Sequence, residues 1–220
     1  MIRQFENEFR GLKNRILAMG GLVEEAIAKS VGVLRVHDAN AVQFLREIEK
    51  RIDDEHIAID QMCLELIARL SPVAADLRLI LAIVKINTDL ERIGDQAMNV
   101  TYNVEHASHV GGVRTELDLA RMADLVRAMV RDSLDALLNA DVEMAKKVLA
   151  ADDEVDRFKD DVIVKMTELM KSNSSDIPRA IDMIFIARSL ERMADHATNV
   201  AEDVIFAYTG VDVRHQSGPI

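Results

Sequence analysis

The chain has 220 residues, 49% of them hydrophobic, with a formal net charge of −11, three Pro, nine Gly, one Cys and no Trp. The acidic balance, with no basic stretch, excludes a binder of phosphate backbones, and the single Cys63 excludes an intramolecular disulfide framework and fits a reducing compartment. The start, Met1 to Glu8, is charged and lacks the apolar core of a signal peptide, and the apolar run Leu79 to Val84 is bracketed by Arg78 and Lys85, far short of the roughly 20 residues of a membrane span.

These properties predict a cytoplasmic, all-α protein rich in helix formers. The first helix is expected over about 4–36, interrupted by Gly20-Gly21. Each glycine costs a helix interior about 1 kcal/mol relative to Ala, so a kink or a close helix approach is expected there. The second helix spans about 39–69, and Cys63 lies on its apolar stripe with Ile59, Met62, Leu66 and Ile67 as a small buried hydrophobe. Ser71 and Pro72 suggest an N-cap and first helical position for a third helix ending near Ala107, with His106 and His109 favoured by the dipole at its end. Gly111-Gly112 then joins a second set of helices at about 116–138, 141–171 and 177–208, with Asp176 capping the last and Gly210 stopping it. The tail 211–220 is polar and expected to be loose.

The two sets are copies. Met19 and Leu22 match Met122 and Leu125, Ile52-Asp53 matches Val155-Asp156, and Glu65-Leu66-Ile67 matches Glu168-Leu169-Met170. Leu90 to Val100 returns as Leu190 to Val200, so the spacing between copies contracts across a connection expected to be shorter in the second copy. The expected fold is therefore two tandem, pseudo-symmetric three-helix bundles, at 1–110 and 113–210, with the last helices of the two repeats forming a spine.

The repeat also duplicates an acidic pattern. Glu91, Asp95 and Asn99 recur as Glu191, Asp195 and Asn199, each set four residues apart and so on one helix face. The second helices add Glu49 with Asp53, and Asp152 with Asp156. No basic residue stands at i+4 to make these ion-pair faces, and Arg92 and Arg192 lie about 100° round the helix from the preceding Glu. Four converging carboxylates must protonate in part or accept a cation, and all-oxygen ligands select hard ions. Mg²⁺, Mn²⁺, Ca²⁺, Zn²⁺ or iron are the candidates, and the competing reading is a solvated acidic face that docks against basic partners. His56, three after Asp53, and His196, after Asp195, are weaker candidates because their counterparts are Lys159 and Gln96. There is no phosphate-cradling glycine loop and no Ser/His/Asp or Cys/His nucleophile set.

The segment Asp89-Leu90-Glu91-Arg92-Ile93-Gly94-Asp95 resembles the signature of the PhoU family. The likeness continues in Met19 to Glu24, in Pro72 to Arg78 and in Ala187 to Arg192, and covers about residue 5 to His215. The resemblance implies two similar three-helix bundles and metal clusters at Glu91 and Asp95 and at Glu191 and Asp195. It implies a non-enzymatic, cytosolic negative regulator of phosphate uptake and phosphate-starvation signalling, acting beside the inner membrane. Its implied partners are the ATPase subunit of the high-affinity phosphate ABC transporter, the phosphate sensor histidine kinase and a second copy of itself. The chain departs from the family pattern at Ala194, where Gly is usual, and at Asp152, where Glu is usual. The Pro72 to Arg78 motif also has no full equivalent in the second half. A di-metal carboxylate enzyme, redox or phosphoester-hydrolysing, is the alternative from the same residues, and a metal-free helical scaffold is a third.

Overall fold

A computed structural model describes residues 2–33, 40–109 and 118–214. Six helices account for nearly all of them: α1 (Ile2–Gly32), α2 (Ala41–Leu70), α3 (Ala75–His109), α4 (Leu119–Asn139), α5 (Val142–Ser172) and α6 (Ile177–Thr209), with one 3₁₀ turn at Ser174–Asp176 before the last. No strand occurs among the described residues. Helices α1–α3 pack mutually, as do α4–α6, which gives the two three-helix bundles expected from the repeat. Gly111-Gly112 and the end of the first predicted helix lie outside the described residues.

The bundles join along two seams. Helix α3 packs along α6 and α1 along α4, whereas α2 and α5 do not meet and form the two outer edges. The α3–α6 pairing is antiparallel, because Lys85 meets Asp203 while His106 meets Asp182. One continuous apolar core results, with Leu12, Ile16, Met19, Ile48, Ile52, Ile83, Met122, Val126, Met183 and Ile186 among its buried members. Each such side chain contributes about 1.5–3 kcal/mol by leaving water. Cys63 is buried as expected, and burial pushes its thiol up to about 12, so it stays protonated and inert. Tertiary packing also repeats in detail. Ser30 and Ser133, at equivalent positions, are both fully buried, and each hydroxyl donates to the carbonyl three residues back, on Ile27 and Val130.

The glycines of α1 mark a close approach. The helix runs unbroken through them, and a Cβ on Gly20 would overlap Leu134 Cδ1 of α4, while one on Gly21 would meet nothing within 4 Å. Gly94 plays the same part between α2 and α3, where an added Cβ would stand 3.0 Å from Ile52 Cδ1. The second repeat has Ala194 and Val155 at these two places, both fully buried. The methyl gained at one position offsets the methyl lost at the other, which explains how Ala194 replaces the usual glycine.

Two cap expectations and one loop expectation are corrected. Ser71 does not start α3: it sits in the left-handed region (φ 45°) as the C-cap of α2, its N–H donating to Ile67 O, and Pro72 lies in the linker. Asp176 precedes α6, but its carboxylate accepts from Asn173 and Arg179 rather than from the helix's own N–H groups. Both α2–α3 and α5–α6 connections run four residues, 71–74 and 173–176, so the contraction of the second copy is taken from its helix ends and not from the loop. Gly210 does close α6, at φ 76°. The tail is not loose throughout, for Val213 is buried in the core and Arg214 pairs with Asp212 at 2.6 Å.

Candidate functional site

In each repeat the second and third helices bring their acidic pairs together. In the first, burial followed by Asp53 and Asp95 raises the Glu49 carboxyl above its ordinary range. Burial and Asp95 raise Asp53, with His56 pulling the other way, and burial and Asp95 raise Glu91. The α2 pair and the α3 pair therefore share one electrostatic field. Arg92 reaches the edge of this group, 3.5 Å from both Glu91 and Asp95. The angle read from the helix wheel kept Arg92 away, but its long side chain bends back along the surface. His56 stands 3.6 Å from Asp60, on its own helix.

The second repeat's group is closed differently. Lys159 Nζ lies 2.7 Å from Asp156 and 3.1 Å from Glu191, bridging α5 to α6, with Asp160 at 3.8 Å. Its hydrogen bonds to Asp156 and Glu191 raise its pKa. Burial, then Glu191 and Asp156, raises Asp195, and His196 and Lys159 lower it. Asp152 is raised most, to about 6, by burial and then by Asp195, Asp156, Asp153 and Glu191.

The asparagines do not join these groups. Asn99 is exposed and donates to Gln96 on its own helix, and Asn199 turns across the bundle seam to donate to Asp89 at 3.2 Å. His196 turns the same way, with Nδ1 2.8 Å from Asp89. The i+4 spacing predicted a shared stripe, but at the fourth residue the helix surface has already rotated toward the α3–α6 seam. Among the described residues, no group of three or more His, Cys, Asp or Glu stands in a metal-ligating arrangement. The donor chemistry still differs between repeats. The first has four carboxylates in one electrostatic field with no ammonium among the described residues bridging them. In the second, an ammonium already bridges two of the four.

The packing of α3 on α6 was expected as the spine, but the charged pairs along it were missed at the level of sequence. Lys85 bonds the buried Asp203 at 3.0 Å, and His106 Nδ1 lies 2.8 Å from the buried Asp182. His106 is thus held by a carboxylate of α6 rather than by the end of its own helix. One signal was present: Asp182 and Asp203 stand among apolar neighbours of α6, Ala180 and Met183, Val204 and Ile205, where a carboxylate needs a partner.

Asp152 supplies a pH test. Its folded-state pKa lies above the unfolded 3.8, so the folded protein holds this proton more tightly. The penalty is full above pH 6 and disappears as pH falls toward the unfolded value. In chelator-treated protein, Asp152→Asn is expected to stabilise by about 1 kcal/mol at pH 7.5, after solvent screening, and by little near pH 4. Urea melts at the two pH values check this, and an equal effect at both would contradict it.

Comparison with known proteins places this geometry. Residues 16–104 and 119–204 each match the PhoU domain. The chain is 37% identical over 214 residues to the phosphate-specific transport system accessory protein PhoU homolog of Pseudomonas putida, covering 97% of this chain and 84% of that one. The crystal structure of PhoU from Pseudomonas aeruginosa superposes with a TM-score of 0.89 at 35% identity, over 94% of this chain and all of that one. The phosphate transport system regulatory protein PhoU from Streptococcus pneumoniae superposes at 0.88 with 27% identity, over 95% and 99% of the two chains. Two matched repeats, a shared fold and identity along nearly the whole length establish that the chain belongs to the PhoU family.

Proposed function

We propose that this protein is a negative regulator of phosphate uptake and phosphate-starvation signalling, an adaptor without turnover of its own. The observation that carries the reading is likeness over 97% of the chain to an accessory protein of phosphate-specific transport. The adaptor works on the cytoplasmic side of the membrane, as a homodimer, between the ATPase subunit of the phosphate transporter and the phosphate sensor histidine kinase. No described helix is long and apolar enough to cross a membrane, which supports attachment through those partners.

The carboxylates at the α2–α3 edge, Glu49, Asp53, Glu91 and Asp95, would hold a hard cation. Asp152, Asp156, Glu191 and Asp195 are their counterparts at the α5–α6 edge. A bound cation supplies positive charge that relieves carboxylate repulsion. The chain's own residues position the edge: Ile52 against Gly94 sets the spacing of α2 on α3, and Asn87 locks it by donating to His56 O and Asp60.

Deleting the gene is expected to switch phosphate-starvation genes on in phosphate-rich medium, and co-purification from native membranes is expected to recover the transporter ATPase or the kinase. Starvation genes that stay silent in the deletion strain would refute the regulatory reading. Steady hydrolysis of a phosphate ester, lost in Asp95→Ala, would favour the di-metal enzyme instead.

A further inference from the structure

We propose that Lys159 is the built-in cation of the second repeat, so that the two duplicated acidic groups are chemically unlike and only the first takes an external metal ion. The inference deepens the proposed reading, from which it takes the cation at the first repeat.

The argument starts from donor arithmetic. An ammonium has three N–H donors and no acceptor. Lys159 directs them at Asp156 Oδ1 and Glu191 Oε1, one carboxylate from each of the two helices that meet there. Glu191 is half-buried and Asp156 lies at the exposed rim, so the ammonium ties the two helices together at the edge where a shared ion would have to bind. A metal ion and an ammonium cannot occupy one set of oxygens, since each would repel the other at contact distance. The Lys159 side chain is only 19% exposed, so it is a packed part of the seam rather than a surface charge that swings away. Asp152 points the same way. It replaces the longer Glu49 of the first repeat, so the fourth donor is shorter by one methylene.

The first repeat lacks this device. His56 occupies the position of Lys159 and lies near enough to Asp53 and Glu91 to pull the pKa of both down, but its ring pairs with Asp60 at 3.6 Å and carries charge only when protonated, whereas the ammonium is a permanent cation. Among the described residues, the Lys or Arg that pairs with Glu91 and Asp95 is Arg92, whose side chain is 56% exposed and touches the group from outside. Duplication has thus produced one edge locked by a covalently attached charge and one edge open to a free ion. A metal-dependent change of shape would then be confined to α2 and α3, leaving α5 and α6 as the fixed half.

Mn²⁺ titration of the full chain, read by equilibrium dialysis and elemental analysis, tests this. In wild type, the paired change Asp156→Asn with Asp195→Asn is expected to leave bound Mn²⁺ unchanged, whereas Asp53→Asn with Asp95→Asn removes it. Lys159→Met is expected to give about a twofold rise in Mn²⁺ bound at saturation, and adding Asp195→Asn to it abolishes the gain. Loss of wild-type Mn²⁺ on changing Asp156 and Asp195 would overturn the proposal, and that arm keeps Lys159 in place and needs no lysine variant to fold. Failure of folded Lys159→Met, shown helical by circular dichroism, to gain Mn²⁺ would overturn it equally. If wild type binds no Mn²⁺ while Lys159→Met gains it, the lysine assignment stands and the metal part of the proposed function falls.

Discussion

Replacing Lys85 by Met is expected to lower the unfolding free energy by about 2–3 kcal/mol at pH 8. The carboxylate of Asp203 is buried in α6 at the seam between the two repeats, with Lys85 Nζ 3.0 Å away. Removing one partner of a buried pair typically costs about 3–5 kcal/mol, because the remaining charge has lost both water and counter-ion. Here the cost falls below that range, since Lys85 is 40% exposed and the Arg214 guanidinium stands 4.0 Å from Asp203. The sign with pH is distinctive. Burial already raises Asp203 above its ordinary 3.8, with Lys85 the main opposing influence, so losing Lys85 raises it further. The folded variant then takes up a proton more readily than its unfolded chain, and the loss shrinks as pH falls through the raised value toward 3.8. Asp203→Asn, which leaves no buried charge, is expected to cost less than Lys85→Met at pH 8. Urea denaturation at pH 8 and pH 5 measures both. A Lys85→Met loss independent of pH would show that Asp203 is not the residue left unpaired.

A second large effect is expected at Gly20. Gly20→Ala should destabilise by about 1–3 kcal/mol, because the new methyl overlaps Leu134 Cδ1 and this buried side chain must leave its rotamer or α1 and α4 must separate. Its neighbour reports the opposite. Gly21→Ala meets open space and should stabilise by up to about 1 kcal/mol through helix propensity alone. Leu134→Ala by itself is a cavity-forming change expected to cost about 2–5 kcal/mol. Combined with Gly20→Ala it should cost less than the sum of the two, because the added methyl enters space that the leucine vacated. Thermal melts of the four variants test the set. Equal effects of Ala at positions 20 and 21 would mean that α1 and α4 do not approach at Gly20.

The same residues show how far a linear reading reaches. Six helices, their pairing into two copies, the burial of Cys63 and the family resemblance were all legible, because an amphipathic helix carries its own period in its own residues. That the α2 and α3 acidic pairs lie near enough to raise one another was legible too, since a stripe on each of two adjacent helices has few places to go. Ser71 was misread because a serine before a proline is a helix-start signal, and only the backbone shows it in the left-handed region closing α2, a place usually taken by Gly or Asn. Asn99 and Asn199 were misread because the spacing rule assumes one neighbour for the whole face, whereas α6 has α5 on one side and α3 on the other.

What the amino-acid order determined by itself was the set of helices, their apolar faces and the doubling of the acidic pairs, all properties of residues within a few turns of one another. What only the tertiary structure decided was which charges meet: Lys85 with Asp203, His106 with Asp182, Asp89 with His196, and Lys159 across to Glu191. Those contacts join different helices, three of them across the seam between repeats, and they depend on how rigid rods dock and on which way long side chains turn. Helical periodicity records the direction a residue faces and carries no record of what will be standing there.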